Sequence, residues 1–173
     1  MKKVLLLIVM FFSIVVFYGC GKKEEKPYNT EQKEILADDE VVLEGIKYKL
    51  DQEENEYGFK YKVASNFRKA DFGNAMCYFS EKIDGNEYFV IRIFHYKNKT
   101  IDYAIKDTIP DYDIKKEVKI NDLDYTFAHA KNYTGADINF YYHKHGKEIH
   151  AISFTGHIDL SRLEDIFLKQ VVY

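Results

Sequence analysis

Residues 138–154 read INFYYHKHGKEIHAISF, and this stretch decides the fold. Two runs rich in aromatic and β-branched residues, 138–145 and 148–154, flank a short polar turn around Gly146. Such runs favour β-strands, and the short turn between them predicts an antiparallel hairpin. The turn residues are either 145–146 or 146–147. In both registers the side chains at 143, 145, 148 and 150 project from one face, because strand side chains alternate.

That shared face carries three imidazoles and one carboxylate, from His143, His145, His150 and Glu148. Imidazole nitrogens and carboxylate oxygens are ligands for zinc and copper. His143, His145 and His150 are therefore candidate metal ligands. The alternative is that these histidines only occupy a half-buried sheet face and a hairpin tip. We expect no organic cofactor.

Alternating patterns continue outward from the hairpin. Residues 57–63 place Tyr57, Phe59, Tyr61 and Val63 on one face. Asp84-Gly85 predicts a tight hairpin turn, because this pair accepts positive φ angles. The acidic segment 51–56 is predicted to be a turn. The remaining predicted strands are 42–50, 75–80, 87–96, 117–120, 125–133 and a closing segment at 171–173.

Helical spacing occurs twice. Thr100 can cap a short helix that Pro110 ends. The segment 160–168 places its aliphatic residues on one helical face, and either Ser161 with Glu164 or Asp159 can cap it. Consecutive hairpins with a few helices predict an α+β domain, in which an antiparallel sheet of about six or seven strands carries packed helices.

The N-terminus has a different character. Lys2 and Lys3 precede the apolar run 4–17, which is shorter than the about 20 residues that span a membrane. Gly19-Cys20 follows this run and resembles the lipobox of bacterial lipoproteins, although Phe17 and Tyr18 replace the leucine and the small residue preferred there. The resemblance implies export, cleavage before Cys20 and lipidation of its thiol. The alternative is an uncleaved N-terminal anchor helix.

Three segments follow from this pattern. Residues 1–19 are predicted to be a lipoprotein signal peptide. Residues 20–40 are predicted to be a lipidated cysteine followed by a flexible linker of mixed charge, which has too little apolar surface to fold alone. Residues 41–173 are predicted to be one globular α+β domain.

The order of elements in this domain also resembles a known fold. Tyr57-Gly58-Phe59-Lys60-Tyr61 opens it, an Asn121-Asp122-Leu123 turn leads into a strand, and two long strands, a helix and a terminal Val-Val-Tyr follow. This order is similar to the Mog1/PsbP-like fold, an α-β-α sandwich found in small secreted lipoproteins. The resemblance implies a binding role and assigns no site residue.

Catalytic and nucleic-acid roles find little support. The sequence has no nucleophile-elbow, zinc-protease, dinucleotide-binding, phosphate-loop or Cys-x-x-Cys motif, so we expect no catalytic residue. A net charge of −3 without a basic cluster argues against nucleic acid as a partner.

The sequence also predicts the environment of several other residues. Cys77 lies in an apolar run and is expected to be buried. The loop carrying Asp111 and Asp113 is expected to be solvated. The many tyrosines are expected to be core residues, with a glycan-binding surface as the alternative.

We therefore expect a non-catalytic binding module, held by lipid on the extracytoplasmic face of the cell membrane, with a cell-envelope protein as partner. The alternative function is binding of a metal ion or small ligand at the histidine-bearing hairpin face.

Overall fold

The computed structural model describes residues 35–83 and 85–173. Residues 36–173 form one compact unit. The predicted signal peptide, Cys20 and most of the linker lie outside the described residues, as does Asp84 of the predicted turn. Among the described helices, none combines the length and the apolar character that a membrane crossing requires.

A seven-stranded antiparallel sheet dominates the domain. Its strands span Arg68–Asp71 (β4), Ala75–Phe79 (β5), Phe89–Lys97 (β8), Ile114–Ile120 (β9), Leu123–Lys131 (β10), Asp137–His145 (β11) and Glu148–Gly156 (β12). Their spatial order is β4-β5-β8-β12-β11-β10-β9. β12 is therefore central, and the hairpin it forms with β11 lies in the middle of the sheet.

The register of the central hairpin confirms the predicted alternation. His143 pairs with His150, and His145 pairs with Glu148, so Gly146 and Lys147 form the turn. Gly146 has a φ of +60°, which a residue without Cβ adopts at low cost. The four side chains on this shared face point toward the second sheet.

A three-stranded antiparallel sheet covers that face. Its strands are β1 (Glu40–Leu43), β2 (Ile46–Glu56) and β3 (Phe59–Ala64), in the order β1-β2-β3. A small two-stranded ribbon, β6 (Lys82–Ile83) and β7 (Asn86–Glu87), lies between β5 and β8 in the chain.

The prediction of a turn at 51–56 was wrong, because β2 continues through the acidic segment. Turning takes place at the two-residue pairs Glu44-Gly45 and Tyr57-Gly58, whose four φ angles are all positive. The acidic residues remain on the surface of the strand, where lysines neutralise them. Lys69 Nζ lies 2.7 Å from a Glu54 carboxylate oxygen and 2.9 Å from one of Glu56.

The main core fills the space between the two sheets and is closed by helix α2 (Ser161–Lys169). The ring of Phe167 on this helix lies 5.5 Å from the ring of Phe154 on β12 and 5.5 Å from that of Tyr61 on β3. Leu160, Leu163 and Ile166 are buried with it, as the helical spacing predicted. Burying a large apolar side chain contributes about 1.5–3 kcal/mol.

Helix α1 (Ile101–Thr108) packs on the opposite face of the large sheet. Thr100 accepts a hydrogen bond from the amide of Tyr103 and caps this helix, as predicted. Ala104 and Ile105 are buried against the sheet residues Tyr142, Ile149 and Ala151. The domain is thus broadly α+β but mostly β. At its end, the predicted closing strand is reduced to one bridge between Val172 and Lys60.

Candidate functional site

One cluster of ligand-type side chains lies where β8 ends and β12 begins. In the register of these strands, His95 pairs with His150 and Lys97 pairs with Glu148. Alternation along the strands therefore places His95, Glu148 and His150 on the inner face of the sheet, beside the β2–β3 turn. The fold brings together residues more than fifty positions apart in sequence.

Three potential ligand atoms converge in this cluster. One atom each of His95, Glu148 and His150 lies within 4.8 Å of the other two. His95 Nε2 is 3.6 Å from Glu148 Oε2, which is beyond hydrogen-bonding distance and within ion-pair distance. His95 Nε2 and His150 Nδ1 are both buried and have no hydrogen-bond partner. Buried polar atoms are normally satisfied, so two such nitrogens side by side require an explanation.

The other nitrogen of His150 fixes the tautomer of this ring. Nε2 lies 3.0 Å from the carbonyl oxygen of Tyr57, which can only accept, so Nε2 carries the proton and donates it. The lone pair of the neutral ring is therefore on Nδ1. Burial lowers the pKa of His150 to about 4, and the neighbouring His95 contributes to this shift. At neutral pH the ring is uncharged.

Aromatic rings enclose the cluster on several sides. The ring of Tyr57 stacks on His95 at 5.0 Å, and the rings of His95 and His150 stack at 5.3 Å. Phe59 lies 4.6 Å from His150, and Tyr173 lies 5.2 Å from it. These contacts restrict both imidazoles and exclude water from the buried side. The Tyr173 hydroxyl is itself buried without a hydrogen-bond partner.

Of the three predicted ligands, His150 alone belongs to this group of converging atoms. His143 lies opposite it on β11, but its Nδ1 donates to the carbonyl of Asp124 at 2.8 Å, and its ring packs on Tyr173. His145 is exposed and also stacks on Tyr173, at 5.2 Å. His95 was not among the predicted ligands. Its alternation with the buried Ile91 and Ile93 indicates the inner face of β8, but not that β8 lies beside β12.

A second polar cluster surrounds Glu164 on α2. This carboxylate is buried and accepts hydrogen bonds of 2.7 Å from Asn139 Nδ2 and from the Tyr141 hydroxyl. Burial raises its pKa, and both hydrogen bonds oppose that shift. The predicted capping box with Ser161 is therefore not formed, and the amide of Ser161 instead donates to Asp159. A cleft of about 250 Å³ adjoins this network and is also lined by His129 and Asp137.

The third feature is an uncovered apolar area beside α1, which we call the Phe72 groove. It measures about 320 Å³ and is lined by side chains from the β4–β5 turn, β5 and β8. Phe72 is 60% exposed, whereas Cys77 at the bottom is buried, as expected. Burial raises the pKa of the Cys77 thiol, which keeps it unreactive. The lining residues are Phe72, Asn74, Ala75, Cys77, Phe79, Arg92 and Phe94.

Most of the large aromatic side chains lie in the core, as the sequence analysis expected. Tyr48, Tyr61, Tyr78, Tyr125 and Tyr142 are fully buried. Exposed rings occur singly, and Tyr133 is fully exposed on the β10–β11 loop. Asp111 and Asp113 are exposed in their loop. An aromatic stripe for a glycan is therefore not a feature of the described surface.

Comparison with known proteins adds little to these observations. No protein-family model matches the chain, and no curated protein matches it in sequence. Among solved structures, the domain is similar to a protein from Bacteroides thetaiotaomicron VPI-5482 whose crystal structure was determined at 1.50 Å resolution. The match has a TM-score of 0.49 and 15% identity, and it covers 66% of this chain and 44% of the other. The chain thus spans less than half the length of this structural neighbour.

Proposed function

We propose that this chain is an extracytoplasmic lipoprotein, tethered to the cell membrane through Cys20, whose β-rich domain binds a cell-envelope protein without catalysing a reaction. The order of segments in the N-terminal sequence is the main support for this proposal. Cys20 directly follows the apolar run 4–17, and the compact unit starts at Leu36, so a charged segment of 15 residues separates the two. We propose that this segment serves as a spacer between the lipid surface and the domain, since its composition has too little apolar surface to form a core.

The two cysteines are suited to different roles in this proposal. Cys77 is buried under the Phe72 groove and has a raised pKa, so it is a poor acceptor for a lipid group. Cys20 is then the cysteine available for modification. Attachment of two acyl chains gives a stable anchor, because each buried methylene contributes about 0.8 kcal/mol.

We further propose that the domain is a Mog1/PsbP-like α-β-α sandwich. The supporting observation is the layering of the seven-stranded sheet, which carries α1 on one face and α2 on the other. The three-stranded sheet beside α2 is an addition to that plan. Members of this fold act mostly by binding, which agrees with the proposed role.

The Phe72 groove is the surface through which we propose that the partner binds. Phe72 remains exposed next to a row of apolar residues on β5 and β8, and exposed apolar patches of this kind mark interaction sites. Arg92 at its edge offers a charge for a partner carboxylate. The partner expected is an envelope protein that presents an apolar segment with an acidic residue.

Cross-linking in intact cells tests this function. The wild-type chain is compared with Cys20→Ala, which removes the anchor, and with Phe72→Ser, which removes the exposed ring. We expect one specific partner to be cross-linked to the wild type and lost in both variants. Tyr133→Ser, which removes an exposed ring elsewhere, is the matched control and should retain the partner. Absence of any specific partner for the wild type would rule out the proposed module.

A further inference from the structure

We propose that His95, Glu148 and His150 bind a divalent transition-metal ion such as Zn²⁺, through His95 Nε2, a Glu148 carboxylate oxygen and His150 Nδ1. This site goes beyond the proposed tethering and partner binding, and it does not depend on either. It retains His150 and Glu148 of the face predicted from the sequence, and it replaces the candidate ligands His143 and His145 by His95.

The geometry suits a metal of this class. Tetrahedral zinc with bonds of about 2.0–2.1 Å places its ligand atoms about 3.3 Å apart. His95 Nε2 and Glu148 Oε2 are already 3.6 Å apart, and one ligand atom of each residue lies within 4.8 Å of the other two. Binding requires the nearly parallel imidazole rings to turn until both lone pairs point at one ion. Two imidazoles and one carboxylate form a ligand set typical of zinc and related ions.

The two unpartnered nitrogens point to a ligand rather than to a simple ion pair. An ion pair of His95 with Glu148 would leave His150 Nδ1 buried without a partner. Such an atom costs about 1–3 kcal/mol when it remains unsatisfied. A metal ion at the ring edges, in line with the in-plane lone pairs of His95 Nε2 and His150 Nδ1, satisfies both nitrogens at once, and the negative charge of Glu148 offsets part of its charge.

The surroundings supply the outer contacts that metal ligands usually have. His150 donates its second ring N–H to the Tyr57 carbonyl at 3.0 Å, which orients the ring and directs its lone pair into the site. Tyr57 also stacks on His95. The main-chain turn of β2–β3 thus holds both imidazoles in position from one side.

Solvent reaches the site from the other side. The side chain of Glu148 is 34% exposed and that of His95 is 23% exposed, whereas His150 is buried. Three protein ligands leave the fourth position of a tetrahedral ion open to water, as in exchangeable or catalytic sites rather than closed structural ones.

Zinc binding to the full-length chain in detergent tests the inference, with a chromophoric chelator as competitor and ZnCl₂ as the probe. We expect a single zinc ion per chain. Glu148→Gln should lower its affinity by at least about tenfold, because even outer contacts of metal ligands contribute about 10–100-fold. His145→Ala is the matched control, since it removes an exposed histidine on the same sheet face, and it should leave the affinity unchanged.

A second readout identifies the ligand atoms. Electron paramagnetic resonance of the Cu²⁺-loaded chain should show hyperfine coupling to two imidazole nitrogens, reduced to one in His95→Gln. Absence of zinc binding by the wild type would overturn the inference. So would equal losses of affinity in Glu148→Gln and His145→Ala, which would indicate adventitious binding by surface histidines. Because Glu148 is partly exposed, its variant remains informative even where His95→Gln does not fold.

Discussion

His150 donates its Nε2–H to the main-chain carbonyl of Tyr57 over 3.0 Å and thereby joins the central strand of the large sheet to a turn of the small one. This single contact sets the tautomer of a buried imidazole and leaves the unprotonated Nδ1 buried without a hydrogen-bond partner. It also makes the conformation of the Tyr57-Gly58 turn important for the cluster, because the carbonyl direction depends on two positive φ angles.

Gly58→Ala should destabilise the domain by about 1–2 kcal/mol, the cost of placing a residue with a Cβ in the left-handed region. Gly58 has a φ of +83°, and a Cβ there would meet no atom within 4 Å, so the loss is conformational and not steric. Urea unfolding of the purified protein measures it. Lys147→Ala, at an exposed turn position with negative φ, is the control and should unfold at nearly the same urea concentration as the wild type. Equal stability of Gly58→Ala and the control would contradict the assigned turn.

The hydroxyls of Tyr61 and Tyr78 form a buried hydrogen bond of 2.7 Å that links β3 to β5 and thus one sheet to the other. Tyr61→Phe should lower the free energy of unfolding by about 1–2 kcal/mol, because it leaves the Tyr78 hydroxyl with one partner fewer in the core. The double variant Tyr61→Phe/Tyr78→Phe should cost less than the two single changes added together, since it removes both polar groups. Strict additivity in this double-mutant cycle would show that the bond contributes nothing.

Stability should depend on pH through Glu164. Its folded-state pKa is raised by burial above the ordinary value of 4.5. Below that value both the folded and the unfolded states hold the proton. As the pH rises through 4.5, the unfolded state loses the proton first, so the free energy of unfolding falls until the pH passes the folded-state pKa. Above that pH, the loss remains constant.

Glu164→Gln isolates this contribution, because it keeps the shape of the side chain and removes the titrating group. The difference in unfolding free energy, wild type minus Glu164→Gln, should decrease between pH 4 and pH 7, as measured by urea unfolding at several pH values. Other titrating groups are present in both proteins and cancel. A difference that rises with pH would show that the hydrogen bonds from Asn139 and Tyr141 outweigh burial.

Phe72→Ser should change the free energy of unfolding by less than about 0.5 kcal/mol, since this ring is mostly exposed and surface substitutions rarely exceed that value. Phe154→Ala should cost about 3–5 kcal/mol, because that ring is buried between Phe167 and Tyr141. Thermal unfolding of the two variants and of the wild type measures both losses of stability. A large loss of stability in Phe72→Ser would mean that any loss of partner binding reflects folding and not the groove.

The hairpin at residues 138–154 was predictable because its signal is local. Two strand-like runs with a glycine between them predict a hairpin. Alternation along its strands places the same four side chains on one face, whichever of the two allowed turns is used. The helices were predictable for similar reasons, since Thr100 and the spacing of Leu160, Leu163 and Ile166 are local signals. The register then confirmed the shared face and showed which residues pair, His143 with His150 and His145 with Glu148.

The composition of the candidate site was not predictable in the same way. Its third member, His95, comes from β8, and nothing local in the sequence indicates that β8 lies beside β12. The sequence also suggested a turn at residues 51–56 because acidic residues are rare in strands. The acidic residues instead pair with β3 across the tight Tyr57-Gly58 turn, and Lys69 contacts Glu54 and Glu56 on the strand surface. Strand pairing thus explains both differences: β8 with β12 for His95, and β2 with β3 for the acidic segment.

The covalent state of Cys20 decides whether the chain is a lipoprotein. Protein extracted from the membrane fraction is digested, and its N-terminal peptide is analysed by mass spectrometry, beside Cys20→Ala and the matched control Cys77→Ala. We predict a mature chain that begins at Cys20 and carries a diacylglyceryl group, in the wild type and in Cys77→Ala. We also predict that the N-terminal peptide of Cys20→Ala carries no diacylglyceryl group. A wild-type N-terminal peptide that retains residues before an unmodified Cys20 would contradict this account.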